Sequence, residues 1–337
     1  MQSVCVSSSV MFGNFKSYGT PFLVLVLVFS LVATPVAGAP SPDSVIYTVG
    51  DDGVTAFDSS GNVLWTNSVA LSSPVRMDVS PDGSTVYAAG KFSDTLVAIN
   101  AADGSTRWSQ SLSITASDVV ATPNGNALIV GDNIVEYDST DGTATVLNDA
   151  TNILTPRTAA YSEVGELFVG AEDGVYQLDA STGAIINSIS GIESLMGRPM
   201  AIVGDNVVLA EWDEAAFEQN VISVDTGLTT VTTVKPNLAG GNEFDAGDQH
   251  IYTSAMEKFD VDGNNLASAS AAGQVAVTED AVWASDASNI RAHSKDTLAE
   301  ETSFAHSRAS IDDLVAYLPE QNSPPVADAG ADQSVVA

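Results

Sequence analysis

Basic side chains are scarce. Eleven lysines and arginines stand against 43 aspartates and glutamates in 337 residues, for a formal charge of −32. That charge sets nucleic acid and anionic membrane surfaces against long-range repulsion, so neither is expected as a partner. Cysteine is reduced to Cys5, which precedes the uncharged run Phe22–Ala33, and beyond residue 38 the chain has none. Disulfides, thiolate metal sites and thiol catalysis are therefore excluded for that part. The three histidines, His250, His293 and His306, show no metal-ligand spacing and are expected in exposed or turn positions. Asp260–Asn264 begins like a calcium loop, lacks the ligands to complete one, and reads as a hairpin turn. Nucleophile elbow, phosphate loop, dinucleotide fingerprint and zinc motif are all missing. Neither a cofactor nor a catalytic residue is expected.

What is present suits a folded chain, with 45% hydrophobic residues. The acids are spread along its length, a composition similar to that of proteins from salt-loving archaea. A self-repelling surface of this kind is tolerable where molar salt screens charge over about 3 Å, and unfolding is expected in low salt. Residues 1–42 hold one base, Lys16, and no acid; the apolar run Phe22–Ala33 is followed by Pro35-Val36-Ala37-Gly38-Ala39. This pattern reads as a Sec-type secretory signal cut after Gly38, which places the protein outside the cell or at its surface. An uncleaved anchor is the alternative, and the only membrane attachment foreseen.

A unit of two β-rich runs, a turn and a third run recurs. The first copy is Ile46–Gly50, Gly53–Asp58 and Gly61–Trp65, and the second is Val86–Gly90, Leu96–Asn100 and Gly104–Trp108. Asp58, Asn100, Asp138, Asp179, Asp225, Asp260 and Ser294 end the second run of seven copies. Their spacing of about 40 residues is that of four-stranded propeller blades. An acid followed shortly by glycine is turn chemistry, so these acids are expected to be structural. Each copy is preceded by an inner strand, such as Val75–Val79, except the first. Its missing strand is supplied from the other end by Leu314–Glu320, aligned with Arg76–Asp82. The expectation is an all-β, seven-bladed β-propeller of four-stranded antiparallel blades, closed by a C-terminal strand over residues 39–320. Residues 1–38 form the signal and residues 321–337 a linker.

The unit Val86–Trp108 resembles the PQQ-like, quinoprotein-type propeller repeat, in which a tryptophan follows the turn glycine at a fixed offset. Trp65 and Trp108 hold that place, while Val146, Asn187, Val231 and Ala267 stand there later. The resemblance implies the architecture and not the dehydrogenase activity of some members. Those enzymes are usually eight-bladed and hold a calcium-bound cofactor over a disulfide, which a cysteine-free mature chain cannot supply. Asn322–Val335 resembles the opening strand of a PKD domain, which implies a secreted or surface protein.

Two groups of residues are candidates for binding. Arg76, Arg157 and Arg198 lie at the start of three inner strands, where they are expected to gather at one mouth of the central channel and meet an anion or carboxylate. Pairing with acids such as Asp78 or Asp205 is the alternative. A long insertion in the fifth copy, Glu211–Asn220, carries Trp212 and Phe217 among four acids and is expected to form a loop on the same face. The expected function is that of a monomeric, non-catalytic binding propeller whose partner is a cell-surface glycan, a peptide or a small anion. Alternatives are a lyase or hydrolase acting at the channel mouth, and a scaffold for surface-protein assembly.

Overall fold

The computed structural model describes residues 40–41, 43–90, 94–192, 199–213, 218–237, 244–247, 249–269, 273–306 and 311–318. The segments expected to be a signal (1–38) and a linker with a PKD-like start (321–337), together with Arg198 and Phe217, lie outside them. The described residues form seven four-stranded antiparallel sheets and no helix. This is the expected seven-bladed β-propeller. The inner strands are Asp313–Tyr317, Pro74–Val79, Ala116–Ala121, Pro156–Tyr161, Met200–Val203, Phe244–Gly247 and Val275–Val277, for blades 1 to 7.

Blade cores follow from two-residue periodicity carried on both faces. The second strand of each blade is packed on either side, so Val45–Gly50, Thr85–Gly90 and Ala127–Gly131 read as continuous apolar runs and not as alternating ones. The outer strands alternate or lie exposed, as in Val63–Asn67 and Ile185–Ser190. The turn acids act as their spacing suggests. Asp58 accepts the Ser60 and Asn62 backbone N–H groups, and Asp179 accepts those of Ser181 and Thr182. Asp260 does the same for Asp262 and Asn264, which makes Asp260–Asn264 the expected turn.

Ring closure is present with a corrected register. Val45 pairs Tyr317, Thr48 pairs Leu314 and Val49 pairs Asp313. Relative to blade 2, this aligns Leu314 with Met77 and Asp313 with Arg76, one residue away from the expected alignment of Leu314 with Arg76. A one-residue slip turns every side chain to the other face. The observed register buries Leu314 with Ile46 and Trp283 between blades 7 and 1.

The tryptophans explain the repeat signature. The Trp65 indole N–H donates to the Ala101 carbonyl of blade 2 at 2.7 Å, and Trp108 donates to Ser139 of blade 3 at 3.0 Å. Each ring lies so close over the next blade's turn glycine, Gly104 or Gly142, that a Cβ there would fall within 3 Å of it. Both glycines also have positive φ, +72° in each case, a second reason for the residue type. Side-chain amides reach the Gly104 turn and its equivalents in later blades: Asn67 to the Gly104 carbonyl, Asn148 to Gly183 and Asn187 to Gly227, all at 2.8 Å. In blades 3 and 5 the bulge of the outer strand moves, so Val146 and Val231 turn outward and are exposed. Replacing Trp108 by alanine is expected to cost about 3 kcal/mol, the low end for a large buried aromatic. Urea denaturation in molar KCl measures it, and a change under about 1 kcal/mol would contradict this account of the motif.

Candidate functional site

The inner strands enclose a cavity of about 340 Å³ on the channel axis, walled mostly by alanine, valine and methionine with Arg76, Asp78, Asp118 and Asp245 among them. Acids in otherwise apolar inner strands call for partners, and the next blade supplies them. Asp313 of blade 1 accepts the Met77 N–H of blade 2 at 2.8 Å, and Asp78 of blade 2 accepts Ala121 N–H of blade 3 at 2.7 Å. Asp118 of blade 3 accepts Ala159 N–H and the Thr158 hydroxyl of blade 4. Asp245 of blade 6 accepts Val277 N–H of blade 7 at 2.8 Å. The other oxygen of each also takes the N–H of the residue that follows it. Each carboxylate therefore fastens its blade to the next one.

Arg76 supplies the counter-charge, with Nε 3.5 Å from an Asp118 oxygen. Its field reaches Asp78, Asp245 and Asp313 as well. Enclosure in the ring pushes Asp78 up to about 7 and Asp245 up to about 6, against the pull of their N–H donors and of Arg76. Burial also raises Asp118 and Asp313, opposed first by Arg76. Four acids around one arginine make the cavity electronegative, a setting that favours cations over anions.

Arg157 lies elsewhere. It occupies the bulge between Pro156 and Thr158, so its side chain is out of phase with Arg76 and pairs with Glu172 in its own blade. The alternative of acid pairing thus describes both arginines, with Asp118 and Glu172 as ion-pair partners. Glu211–Asp213 and Glu218–Asn220 are not a loop: they extend the middle strands of blade 5, with Trp212 opposite Gln219 and Asp213 opposite Glu218. The alternation of side chains through Glu-Trp-Asp and Glu-Gln-Asn suits a hairpin. Strand pairing sets the Asp213–Glu218 end of these strands on the face where inner strands begin, the face of Arg76 and Arg157. Trp212 is half-buried there.

His293 departs from expectation. It is buried on the third strand of blade 7, its Nδ1 3.0 Å from the Leu298 carbonyl. His306 Nε2 is 3.1 Å from the Asp286 carbonyl, and His250 meets the edge of Tyr252. Among the described residues, no group of three acids, histidines or cysteines is arranged to hold a metal ion.

Comparison with known proteins adds the following. No curated protein sequence matches the chain. Among solved structures, a functionally unknown protein from Desulfotomaculum acetoxidans is similar with a TM-score of 0.58 at 14% identity, covering 82% of this chain and 99% of that one. The computationally designed Ika8 protein gives 0.56 at 15% identity, covering 81% and 87%. BamB from Moraxella catarrhalis gives 0.51 at 13% identity, covering 80% and 85%. At such identities the likeness is one of fold. Within that propeller, residues 50–191 match the PQQ_2 family model, described as outer membrane protein assembly factor BamB.

Proposed function

We propose that the chain is an exported, non-catalytic interaction propeller that binds an extended protein segment at the cell surface. The observation that carries this reading is where its polar and apolar groups are spent. The carboxylates of the channel are taken up in fastening blades. The outer strands, by contrast, display Val63, Leu64, Val146, Ile185, Ile186, Val231 and Leu266 to solvent, each beside a strand edge that no further strand among the described residues pairs with. An edge strand with outward apolar residues is a template for a strand from another chain. The partial match to the model of an assembly factor supports the same reading. A glycan at the face of Arg76, Arg157 and Trp212 is the second ligand class proposed, and it rests on the half-buried Trp212 at that face.

A lyase or hydrolase would need a general base, and Asp78, near 7, has the right range for one. Both its oxygens, however, already accept backbone N–H groups. A thermal-shift screen in molar KCl separates the readings, using unstructured apolar peptides, glycans, small anions, divalent cations and a quinone. Saturation at 100 times the dissociation constant adds about 2.7 kcal/mol. Response to peptides, lost when Ile185 and Ile186 become aspartate, is the expected result. Response to a quinone or divalent cation alone would overturn the proposal.

A further inference from the structure

On the face where inner strands end, a groove of about 310 Å³ separates blades 3 and 4. Pro123 and Asn124 in a turn of blade 3 form one wall, and Gly165, Ala180 and Ser181 in turns of blade 4 form the other. Tyr161, the last residue of the inner strand, and Glu136, on the third strand of blade 3, complete it.

Glu136 stands two residues before the turn acid Asp138. In blade 6 that position belongs to Lys258, whose ammonium crosses to the Lys295 carbonyl of blade 7 at 2.9 Å. A carboxylate has no proton to give a carbonyl, and Glu136 makes no such crossing. Its Oε1 accepts the Asn126 amide at 2.7 Å and the Asn124 amide at 3.4 Å, both from its own blade. Oε2 has no hydrogen-bond partner among the described residues, and no lysine or arginine there pairs with Glu136. The Tyr161 hydroxyl, beside it, also makes no hydrogen bond among those residues. Enclosure and the Glu136 charge both push the Tyr161 phenol up, so it stays a neutral hydroxyl with a free lone pair.

The groove therefore offers one uncompensated carboxylate oxygen, one phenol oxygen and an aromatic ring between walls of small and neutral residues. The turns that rim it add Glu163 and Asp179 and no base. An anion is repelled by this arrangement. A neutral polyol leaves the charge uncompensated. An ammonium group neutralises Glu136, donates to both oxygens and gains from the ring face. We propose that this groove is a receptor for a primary alkylammonium group, carried by a lysine side chain or by a free amine. It does not depend on whether the outer strands take a partner.

The test uses the full chain with 13C-labelled tyrosine, the Tyr161 ring signal being assigned from Tyr161→Phe. Acetyl-Gly-Lys-Gly-amide and putrescine are titrated separately, with the Nε-acetylated peptide and glucose as neutral probes. Both amines are expected to shift the Tyr161 signal, with binding at least tenfold weaker in Glu136→Gln, about 1.4 kcal/mol. Glutamine keeps the acceptor for Asn126, and an unchanged melting curve confirms that the variant is folded. Binding is also expected to weaken as KCl rises. A shift with the peptide alone assigns the site to lysine side chains, and one with putrescine alone assigns it to free amines. Equal binding of the acetylated peptide or glucose, affinity unchanged in Glu136→Gln, or no shift with either amine would overturn the proposal.

Discussion

Ending the chain after Ala309 is expected to abolish cooperative unfolding. The lost segment includes Asp313–Tyr317, which is the inner strand of blade 1 and pairs with Val45–Val49 over five residues. Its removal exposes Ile46 and Trp283, strips blade 2 of the Asp313 carboxylate on Met77, and leaves Val45–Gly50 as a bare edge facing the channel. The combined loss is on the scale of the whole stability of a domain, about 5–15 kcal/mol. Thermal melts followed by near-ultraviolet dichroism would show a broad, low transition for the shortened chain. A synthetic peptide spanning residues 311–318, added in excess, should restore the sharp one by mass action. A shortened chain that melts as cooperatively as the parent, at the same temperature, would show that the ring is closed by other means.

The second large effect is expected at Arg76. Replacing it by leucine leaves four enclosed carboxyl groups without their cation, a situation that costs about 3 kcal/mol or more when the charges cannot be shed. Shedding depends on pH. Asp78 and Asp245 hold their protons up to about 7 and 6 in the folded chain, well above the usual carboxyl value of the unfolded one. The folded state thus binds more protons between about pH 4 and 7, and the contribution of these two groups to stability falls as pH rises through that window. At pH 7.5 the Arg76 charge opposes this penalty. By pH 5 both groups are protonated and its charge matters less to them. Guanidinium is itself a salt, so urea denaturation at the two pH values is the appropriate measurement. The loss in Arg76→Leu should be at least twice as large at pH 7.5 as at pH 5. Equal losses at both would mean that Arg76 acts through packing alone.

The exposed turn acids work in the opposite sense. Hydrogen bonds from Ser181 and Thr182 hold Asp179 down at about 2, and Asp58, Asp103 and Asp260 are lowered by similar donors. Their contribution is present above the unfolded carboxyl value and is lost as pH falls below it. The two sets thus act in opposite directions on either side of about pH 4, the turn acids favouring the folded chain above it and the enclosed pair losing its contribution as pH rises beyond it.

Much of this architecture was legible in the sequence because a propeller repeats its turn chemistry. Asp58, Asn100 and their equivalents mark the same corner of each blade, and the side chain that accepts local N–H groups is visible in one dimension. The register of the closing strand was less accessible. Pro319-Glu320 looks like Pro81-Asp82, and matching the two pairs by sequence shifts Leu314 by one from its place in the ladder. The channel cluster was illegible for a different reason. Asp118 and Asp313 stand level with Arg76, whereas Asp78 and Asp245 lie two residues further along their strands. No single spacing links them, and only the ring brings them together. The available signal was simpler: a lone acid inside an apolar strand, as in Ser117-Asp118-Val119-Val120. Glu136 was invisible for the same reason, since its position means something only beside Lys258.

The carboxylate contacts between inner strands also impose an order in time. Asp313 and Met77 lie 236 residues apart, and the strand that carries Asp313 is made after every other described strand of the propeller. Until then blade 1 has three strands, and blade 2 lacks the acceptor for one of its own N–H groups. Blades 3 to 7 can assemble locally as they emerge, but the circle cannot be sealed by any part of the chain made earlier. Contacts of such separation slow folding, because the loop must be closed before the contact repays it. A propeller built this way is sealed only once its closing strand has been made, and any factor that holds its first strand in the meantime acts on the step that seals the ring.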